Sequence, residues 1–317
     1  MKQFGLKWFG ACMFILVVVG CSPEVQSPPK QLLISGSDTE AKMIEKLVNE
    51  FEENMDLDGK ISVSSSGTEQ GIESLINGEI SVANASRPMT QDEIARAWEN
   101  SVNPIEVIVA HDAVAVVTNI KLGVDSLSTD QLREIFSGEI TNWSSVGGPN
   151  LPIQLIGRKK GSGTRSFFKE RMAHDGYAQS IIEFETSQEV LAAVKKVRGA
   201  IGYVGVGYVM DHKGKPAGDI WGMYIYSGEM PAISPYERSK VRAGMYGLSR
   251  PLYQYFDGMP TGEIMDFLQF ELSKQGQELI ENYGYFAINE SHKQQNLFNG
   301  IFVFHDWEEG ISTRHRK

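Results

Sequence analysis

The sequence predicts an α/β fold, because three segments of the chain each read as a short strand, a turn rich in Ser, Gly and Thr, and an amphipathic helix. A length of 317 residues exceeds one typical domain and suits either two lobes or one large α/β unit. The hydrophobic content of 41% and the charged content of 22% are near the globular average, so the chain does not read as disordered or fibrous.

The first twenty residues differ in character from the rest of the chain. Lys2 and Lys7 are followed by an apolar run over 8–19 and then by Gly20-Cys21, which is typical of a signal peptide. The run is too short to span a bilayer comfortably, and 18–21 resembles the lipobox of bacterial lipoproteins. We therefore expect a lipoprotein signal peptide at 1–20, lipidation of Cys21 and a Pro/Ser tether at 21–30; a plain secretory signal with a chance cysteine is the alternative.

These expectations make the mature chain acidic and free of disulfides. Cys12 lies in the removed segment and Cys21 carries lipid, so no pair of thiols remains. Without Lys2 and Lys7 the chain has 28 basic against 40 acidic residues, a net charge of about −12. An exported protein of this charge is a poor candidate for binding nucleic acid.

The three strand–turn–helix segments place their turns at 35–39, 64–68 and 158–164. Each turn puts Ser, Thr or Gly at a helix N-terminus, where backbone N–H groups lack partners and the helix dipole is positive. Such a position attracts anions, and glycine allows the backbone to approach a ligand closely. Simple helix capping is the alternative for any single turn; the three turns together favour an anion site.

Two arginines are candidate cations for that site. Arg158 ends the third strand, and Arg87 follows a strand that ends near Ala83, just before a capping box formed by Thr90 and Glu93. The planar fork of an arginine fits a tetrahedral oxyanion better than the point charge of a lysine does. Either arginine could instead be a solvated residue or pair with a carboxylate.

Beyond these turns, the sequence resembles the periplasmic phosphate-binding proteins of bacterial ABC phosphate-uptake systems, the PstS type. The similar segments cover most of 31–288, and they are SGSDT (35–39), SSGTEQGI (65–72), ANASRPM (83–89), LSTDQLREIFSGEITNW (127–143), GRKKGSGTRSFF (157–168), GAIGYVGVGY (199–208) and GLSRPLYQYF (247–256). The resemblance implies a two-lobed, type II-like periplasmic-binding-protein fold of α/β class, with the ligand cleft between the lobes. It also implies inorganic phosphate as the ligand, an ABC permease as the partner, a monomer and no cofactor.

Carried over residue by residue, the resemblance also implies a set of phosphate ligands. These are Ser37, Asp38, Ser66, Gly67, Thr68, Ser86, Arg158, Ser162, Gly163 and Thr164. Some relatives carry Asp in place of Ser86, and many carry Thr in place of Asp38. Our hypothesis is that Asp38 accepts a hydrogen bond from hydrogen phosphate and so rejects sulfate, which has no proton to donate at neutral pH; the alternative is that Asp38 only caps a helix.

Ligand capture between lobes requires the chain to cross over and return. We expect lobe one at 31–118 plus 247–290 and lobe two at 119–246. Helices opening at Ser128 and Thr186 would lie in lobe two. The extension at 291–317 lies outside the resemblance and has an unknown role; its apolar part could be an extra strand or a docking segment.

The leading hypothesis is therefore a lipid-anchored, extracytoplasmic phosphate receptor that faces the periplasm or the cell exterior and is not an enzyme. One alternative is a receptor for another tetrahedral oxyanion, such as sulfate or molybdate. A second alternative is an exported phosphoester hydrolase. The sequence has no G-x-S-x-G elbow, no metal motif among its six histidines and no P-loop lysine after 157–164, and we interpret His111 as structural.

Overall fold

The structure is a computed structural model, and it describes residues 31–55, 59–173, 176–210 and 218–302. The predicted signal peptide, the tether and Cys21 lie outside the described residues. Within the described ranges there is no helix with the length and apolarity needed to cross a membrane.

Strands and helices alternate along most of the chain, as expected for an α/β protein. The strands are β1 Leu32–Gly36, β2 Ile61–Val63, β3 Val82–Ala85, β4 Pro104–Asn119, β5 Ser126–Ser128, β6 Gln154–Arg158, β7 Ile182–Phe184, β8 Ala200–Gly205, β9 Ile220–Gly222, β10 Tyr224–Tyr226 and β11 Ser249–Asp257. The helices are α1 Asp38–Met55, α2 Thr68–Ile76, α3 Gln91–Glu99, α4 Thr129–Ser137, α5 Gly163–Met172, α6 Ser187–Lys196, α7 Arg238–Arg242, α8 Gly262–Leu272, α9 Lys274–Asn282 and α10 Glu290–Phe298.

The long strand β4 connects the two halves of the main sheet. The strand order is β2-β1-β3-β11-β4-β8-β6-β7, and β9 also pairs with β4. Up to Ala113, β4 runs antiparallel to β11, whereas from Val114 to Thr118 it runs antiparallel to β8. On the β11 side of β4, strands β1, β2 and β3 are parallel to one another. On the β8 side, β6 is parallel to β7 and β8. The carboxyl ends of these parallel strands lead into the first turns of helices.

The apolar cores are divided between two lobes. One core is built from residues of 113–248 together with Phe286. Two further clusters are built from residues of 34–110 and 252–301. By this division the chain passes from one lobe to the other within β4 and returns just before β11; the predicted limits at 118/119 and 246/247 remain a prediction.

The predicted helix starts of the capping-box type are confirmed. Thr90 caps α3, Ser128 caps α4 and Thr186 caps α6, and each hydroxyl accepts a hydrogen bond from the backbone N–H three residues later. In each case the Glu or Gln three residues on also reaches back to the N–H of the cap. These caps fix where α3, α4 and α6 begin.

The start of the predicted C-terminal extension is a helix rather than a strand, and it packs on the body of the protein. Asn296 of α10 is buried, and its amide donates to the carbonyl of Ile108 at 2.8 Å and accepts from the N–H of Ile108 at 2.8 Å. Asn299 donates to the carbonyl of Glu106 at 2.9 Å, and Ile301 is buried in the lobe-one core. Residues 303–317 lie outside the described residues.

We predict that Asn296→Ala lowers the free energy of unfolding by about 2–4 kcal/mol, because it leaves the buried N–H and carbonyl of Ile108 without partners. Urea unfolding followed by circular dichroism measures the change. The matched control is Gln294→Ala on the same helix, whose exposed amide donates to Glu290 and which should change stability by less than about 0.5 kcal/mol. Equal stability of the two variants would show that Asn296 does not anchor α10.

Candidate functional site

A cavity of about 420 Å³ lies between the two lobes. Its lobe-one wall comes from the start of α1 and the loop between β2 and α2, and its lobe-two wall comes from the loop between β6 and α5 and the start of α6. The lining residues are Asp38, Ser65, Ser66, Gly67, Glu69, Gln70, Arg158, Lys159, Lys160, Gly161, Ser162, Glu185 and Thr186. Two of the three predicted anion-binding turns therefore face each other across this cavity, and the third contributes Asp38.

The ten residues predicted as phosphate ligands are brought together, in two layers. Asp38, Ser66, Gly67, Arg158 and Ser162 line the cavity. A second layer is connected to these residues by the chain and by hydrogen bonds, and it is almost inaccessible to solvent. This layer holds Ser37, Thr68, Ser86, Gly163 and Thr164.

An ion pair between Asp38 and Arg158 crosses the cavity from lobe to lobe. The Oδ2 atom of Asp38 accepts from Nη1 of Arg158 at 3.0 Å, and from the backbone N–H and the hydroxyl of Ser187 at 3.0 and 2.7 Å. Arg158 is only 2% exposed, and its Nε and Nη2 donate to the carbonyl of Glu185 at 3.0 and 2.6 Å. Asp38 is thus bound to the N-terminus of a helix of the opposite lobe, and Ser187 is a contact that the sequence interpretation missed.

Behind the cavity, hydroxyl groups of five residues form what we call the hydroxyl cluster: Ser37, Thr39, Thr68, Ser86 and Thr164. The hydroxyls of Thr39 and Thr164 lie 2.7 Å apart across the lobe boundary. The hydroxyls of Ser37 and Ser86 are hydrogen-bonded to each other, and the N–H of Ser86 donates to the hydroxyl of Thr68 at 3.2 Å. Helices α1, α2 and α5 begin within one residue of this cluster, so three positive helix ends converge on it.

Glycine makes this convergence possible at two positions. A Cβ on Gly163 would lie 2.4 Å from the hydroxyl oxygen of Thr68, so no larger residue can start α5 here without displacing α2. Gly67 has φ +88°, a left-handed conformation that brings its loop against Gly161. The N–H of Glu69 then donates to the carbonyl of Gly161 at 3.1 Å, a further bond between the lobes.

Sequence interpretation missed the cation that contacts the hydroxyl cluster, which is Arg250 on β11. Its Nη2 donates to the hydroxyls of Thr164 and Thr39 at 2.9 and 3.3 Å, and its Nη1 donates to the carbonyl of Ser86 at 3.0 Å. Its Nε and Nη2 also donate to Oδ2 of Asp112 at 3.1 and 2.9 Å. The sequence holds this arginine within GLSRPLYQYF (247–256), one of the segments that carry the resemblance.

The other arginine proposed from sequence, Arg87, is engaged elsewhere. Its Nη1 and Nη2 each donate to a carboxylate oxygen of Glu93 at 2.7 Å. This pairing lowers the pKa of Glu93 in spite of its partial burial, which by itself would raise it. Arg87 therefore acts as the partner of a carboxylate in the α3 capping box and does not line the cavity.

Both arginines of the site are neutralised by a buried carboxylate. Arg158 pairs with Asp38, and Arg250 pairs with Asp112. Burial raises the pKa of Asp112, although Arg250 acts in the opposite direction. Neither pair leaves a net positive charge, so an anion at this site would be held mainly by N–H and O–H dipoles.

One more acidic side chain contacts the hydroxyl cluster. Glu40 is fully buried in the first turn of α1, with Oε1 3.5 Å from the hydroxyl of Ser86. Burial raises the pKa of Glu40 well above its ordinary value, which favours the protonated acid. In the sequence it looked like an ordinary first-turn acid, and nothing there indicated its burial.

His111, considered from sequence as a base, lies away from the cavity lining. It is buried on β4, and its ring stacks on that of His292 with 5.1 Å between centroids. Burial, with a smaller contribution from His292, lowers the pKa of His111 to about 4, so its imidazole is uncharged at neutral pH. Its position agrees with the structural interpretation.

Comparison with known proteins places this arrangement in a family. The model of the PBP superfamily domain matches residues 23–275. Protein SphX of Synechococcus elongatus is 29% identical over 251 residues, which cover 76% of this chain and 73% of that protein. The phosphate-binding protein PstS of Staphylococcus aureus is 28% identical over 268 residues, covering 83% and 80% of the two chains.

A solved structure shows the same fold at lower identity. An ABC-type phosphate transport receptor from Vibrio cholerae is 24% identical and superposes with a TM-score of 0.63 over 81% of this chain and 99% of its own. The α/β architecture with a cleft between two lobes is therefore the type II-like fold predicted from sequence. Because the family model matches most of the length, this chain belongs to the PBP superfamily.

Proposed function

We propose that this protein is the extracytoplasmic phosphate-binding receptor of an ABC phosphate importer. The observation that carries the proposal is the convergence of three helix N-termini and five hydroxyl-bearing residues on one point between the lobes. The kinship with proteins named for phosphate binding supports phosphate as the tetrahedral anion.

Hydrogen bonds account for capture without a net positive charge. Each hydrogen bond to a charged group contributes about 1.5–3 kcal/mol, and micromolar affinity requires about 8 kcal/mol. The hydroxyls of Thr39, Thr164, Ser37 and Ser86 now pair with one another, and each can exchange that partner for a phosphate oxygen. Free N–H groups at the starts of α1, α2 and α5 add further donors.

The contacts between the lobes form only when the lobes close over the site. Asp38 with Arg158, Thr39 with Thr164, and Glu69 with Gly161 each join a lobe-one group to a lobe-two group. Separating the lobes breaks all of these bonds together. A ligand that contacts both lobes binds the closed form more tightly and so shifts the population toward it.

The remaining elements of the proposal rest on the sequence. We propose that 1–20 direct export, that Cys21 carries the lipid anchor through the tether at 21–30, and that an ABC permease receives the ligand from a monomeric receptor. The proposed lobes are 31–118 with 247–290 and 119–246, joined through β4. The proposed role is capture without turnover, so no catalytic residue is assigned.

The proposal is tested by titration calorimetry of the full chain with phosphate, sulfate and molybdate, together with a phosphatase assay. We expect phosphate to bind tightly and phosphate esters to remain uncleaved. Tighter binding of sulfate or molybdate would identify a receptor for another oxyanion. Turnover of esters without retention of phosphate would identify a hydrolase.

We predict that Thr164→Val weakens phosphate binding roughly 10- to 150-fold, because one charge-assisted hydrogen bond is lost while the shape of the side chain is kept. Calorimetry measures the change. The matched control is Thr261→Val, at the start of α8, where the hydroxyl makes no capping bond and where phosphate affinity should stay at the wild-type value. An unchanged affinity in Thr164→Val would remove Thr164 from the site.

We further predict that Asp38→Asn narrows the preference for phosphate over sulfate. The substitution replaces one carboxylate oxygen by an NH2 group, which can donate to sulfate, and removes the negative charge that opposes Arg158, so sulfate affinity should rise. The measurement is the ratio of the two affinities by calorimetry. In the control Glu185→Gln, an acidic residue lining the same cavity, the ratio should not change; an unchanged ratio in Asp38→Asn would leave Asp38 with a structural role only.

A further inference from the structure

Four fully buried polar side chains lie beneath the hydroxyl cluster: Glu40, Asn84, Gln254 and Glu271. We call them the polar core. Asn84 on β3 and Gln254 on β11 are directly opposite each other in an antiparallel pair, which sets their side chains next to each other on one face of the sheet.

Helices α1 and α8 cover that face. The neighbouring opposite pair, Val82 and Phe256, belongs to the same apolar core as Phe51 of α1 and Phe267 of α8. Because side chains alternate along a strand, residues two positions from this pair face the same helices. Asn84 and Gln254 therefore point toward α1 and α8, the helices that carry the two buried glutamates.

One glutamate hydrogen-bonds to this amide pair, and the other interacts with the first. Glu271, at the end of α8, accepts from Nε2 of Gln254 at 3.1 Å. Glu40, at the start of α1, lies close enough to Glu271 for their charges to interact. On the side of Glu40, the polar core ends at the hydroxyl of Ser86.

The polar core has more acceptors than donors. Among the described residues, no partner exists for Oε2 of Glu40, Oε2 of Glu271, Oε1 of Gln254 and Oδ1 of Asn84, against a single free donor, Nδ2 of Asn84. A proton on each carboxyl supplies two more donors and needs no additional space. Burial raises the pKa of Glu40 and the pKa of Glu271 well above the ordinary value of a glutamate. This agrees with both carboxyl groups being protonated and uncharged.

The proton on Glu40 determines how the neighbouring hydroxyls are oriented. Oε1 of Glu40 contacts Oγ of Ser86, Oγ of Ser86 is hydrogen-bonded to Oγ of Ser37, and the hydroxyl of Ser37 also interacts with the Glu40 carboxyl. When Glu40 is ionised, Ser86 donates to it and Ser37 donates to Ser86, so neither hydroxyl can donate to an anion. When Glu40 is protonated it can donate to Ser86, Ser86 donates to Ser37, and the proton of Ser37 is free to point toward a ligand.

We propose that Glu40 is a positioning residue of the anion site, whose carboxyl proton directs the Ser86–Ser37 hydroxyl chain as a donor toward the bound anion. The inference rests on the proposed phosphate binding and deepens it. Ionisation of Glu40 would reverse the chain and place a second negative charge beside a dianion. Phosphate binding is therefore coupled to the presence of this proton.

The charged groups that face Glu40 agree with this role. Arg250 from β11 and Asp112 from β4 form an ion pair, so their effects on Glu40 oppose each other. Glu271 from α8 is itself an acid with a raised pKa, and Tyr285, which also interacts with Glu40, is a buried phenol whose pKa is raised by burial. Asp38, on the same helix, is paired with Arg158. None of these groups supplies an unopposed positive charge that would hold Glu40 ionised.

The first test compares the phosphate affinity of the wild-type full chain, Glu40→Gln and Glu271→Gln from about pH 5 to about pH 9. The amide introduced by Glu40→Gln is a permanent N–H donor and has no titrating proton. The ratio of wild-type to Glu40→Gln affinity should be constant at low pH and fall by up to about tenfold per pH unit once the pH exceeds the pKa of Glu40. Glu271→Gln, a matched substitution in the polar core without a hydroxyl contact, should follow the wild-type profile.

The second test detects the proton directly by infrared difference spectroscopy at neutral pH. The wild type should show carbonyl bands of protonated carboxyl groups, and the band that Glu40→Gln removes should be kept in Glu271→Gln and should shift when phosphate is added. If the band shifts and the pH profiles of the wild type and Glu40→Gln are parallel, Glu40 keeps its proton throughout the range, and the result supports the proposal. A missing Glu40 band, or a band that phosphate does not move, overturns it.

The two proposals fail in different ways. A wild-type chain that binds no phosphate at any pH contradicts the proposed function itself. Two results would contradict only the role of Glu40. One is phosphate binding by the wild-type chain while Glu40 is ionised, and the other is an equal loss of affinity in Glu40→Gln and Glu271→Gln.

Discussion

The buried ion pair between Arg250 and Asp112 is the interaction on which the site depends. Moving both charges out of water is costly, and the cost is offset only if every donor of the guanidinium finds an acceptor. Here the acceptors come from Asp112 on β4, the end of β3, the start of α1 and the start of α5. Satisfying one arginine therefore requires both lobes to meet at the same point.

The same requirement explains why the anion site is built from dipoles. Arg250 and Arg158 each have a carboxylate partner, so neither offers a free charge. The overall charge of −10 matters little across a Debye length of about 8 Å at physiological salt. Besides the lysines that line the cavity, a ligand therefore meets a set of hydroxyls and helix-terminal N–H groups, which hold an anion strongly only where water is excluded.

The sequence was sufficient to predict features that depend on local chemistry. The turns at 35–39, 64–68 and 158–164 were predicted because glycine and hydroxyl residues before an amphipathic run have few other uses, and Thr90, Ser128 and Thr186 carry complete capping boxes. Features that depend on packing were missed. Arg87 and Arg250 look alike in sequence, yet Glu93 lies six residues from Arg87 and pairs with it, whereas the partners of Arg250 come from four distant segments.

Glu40 is the clearest example of a residue whose role depends on packing and could not be predicted from the sequence. Its surroundings also explain why an acid stands at this position. An acid in the first turn of a helix normally stabilises the positive end of the dipole as an exposed anion. At α1 that positive end faces the hydroxyl cluster, where an anion on the protein would compete with the ligand for the same donors. Burial against α8 and the sheet removes the competing charge by favouring the protonated form. The side chain that would cap the helix in water thus becomes, once buried, a donor that leaves the helix end available to a bound anion.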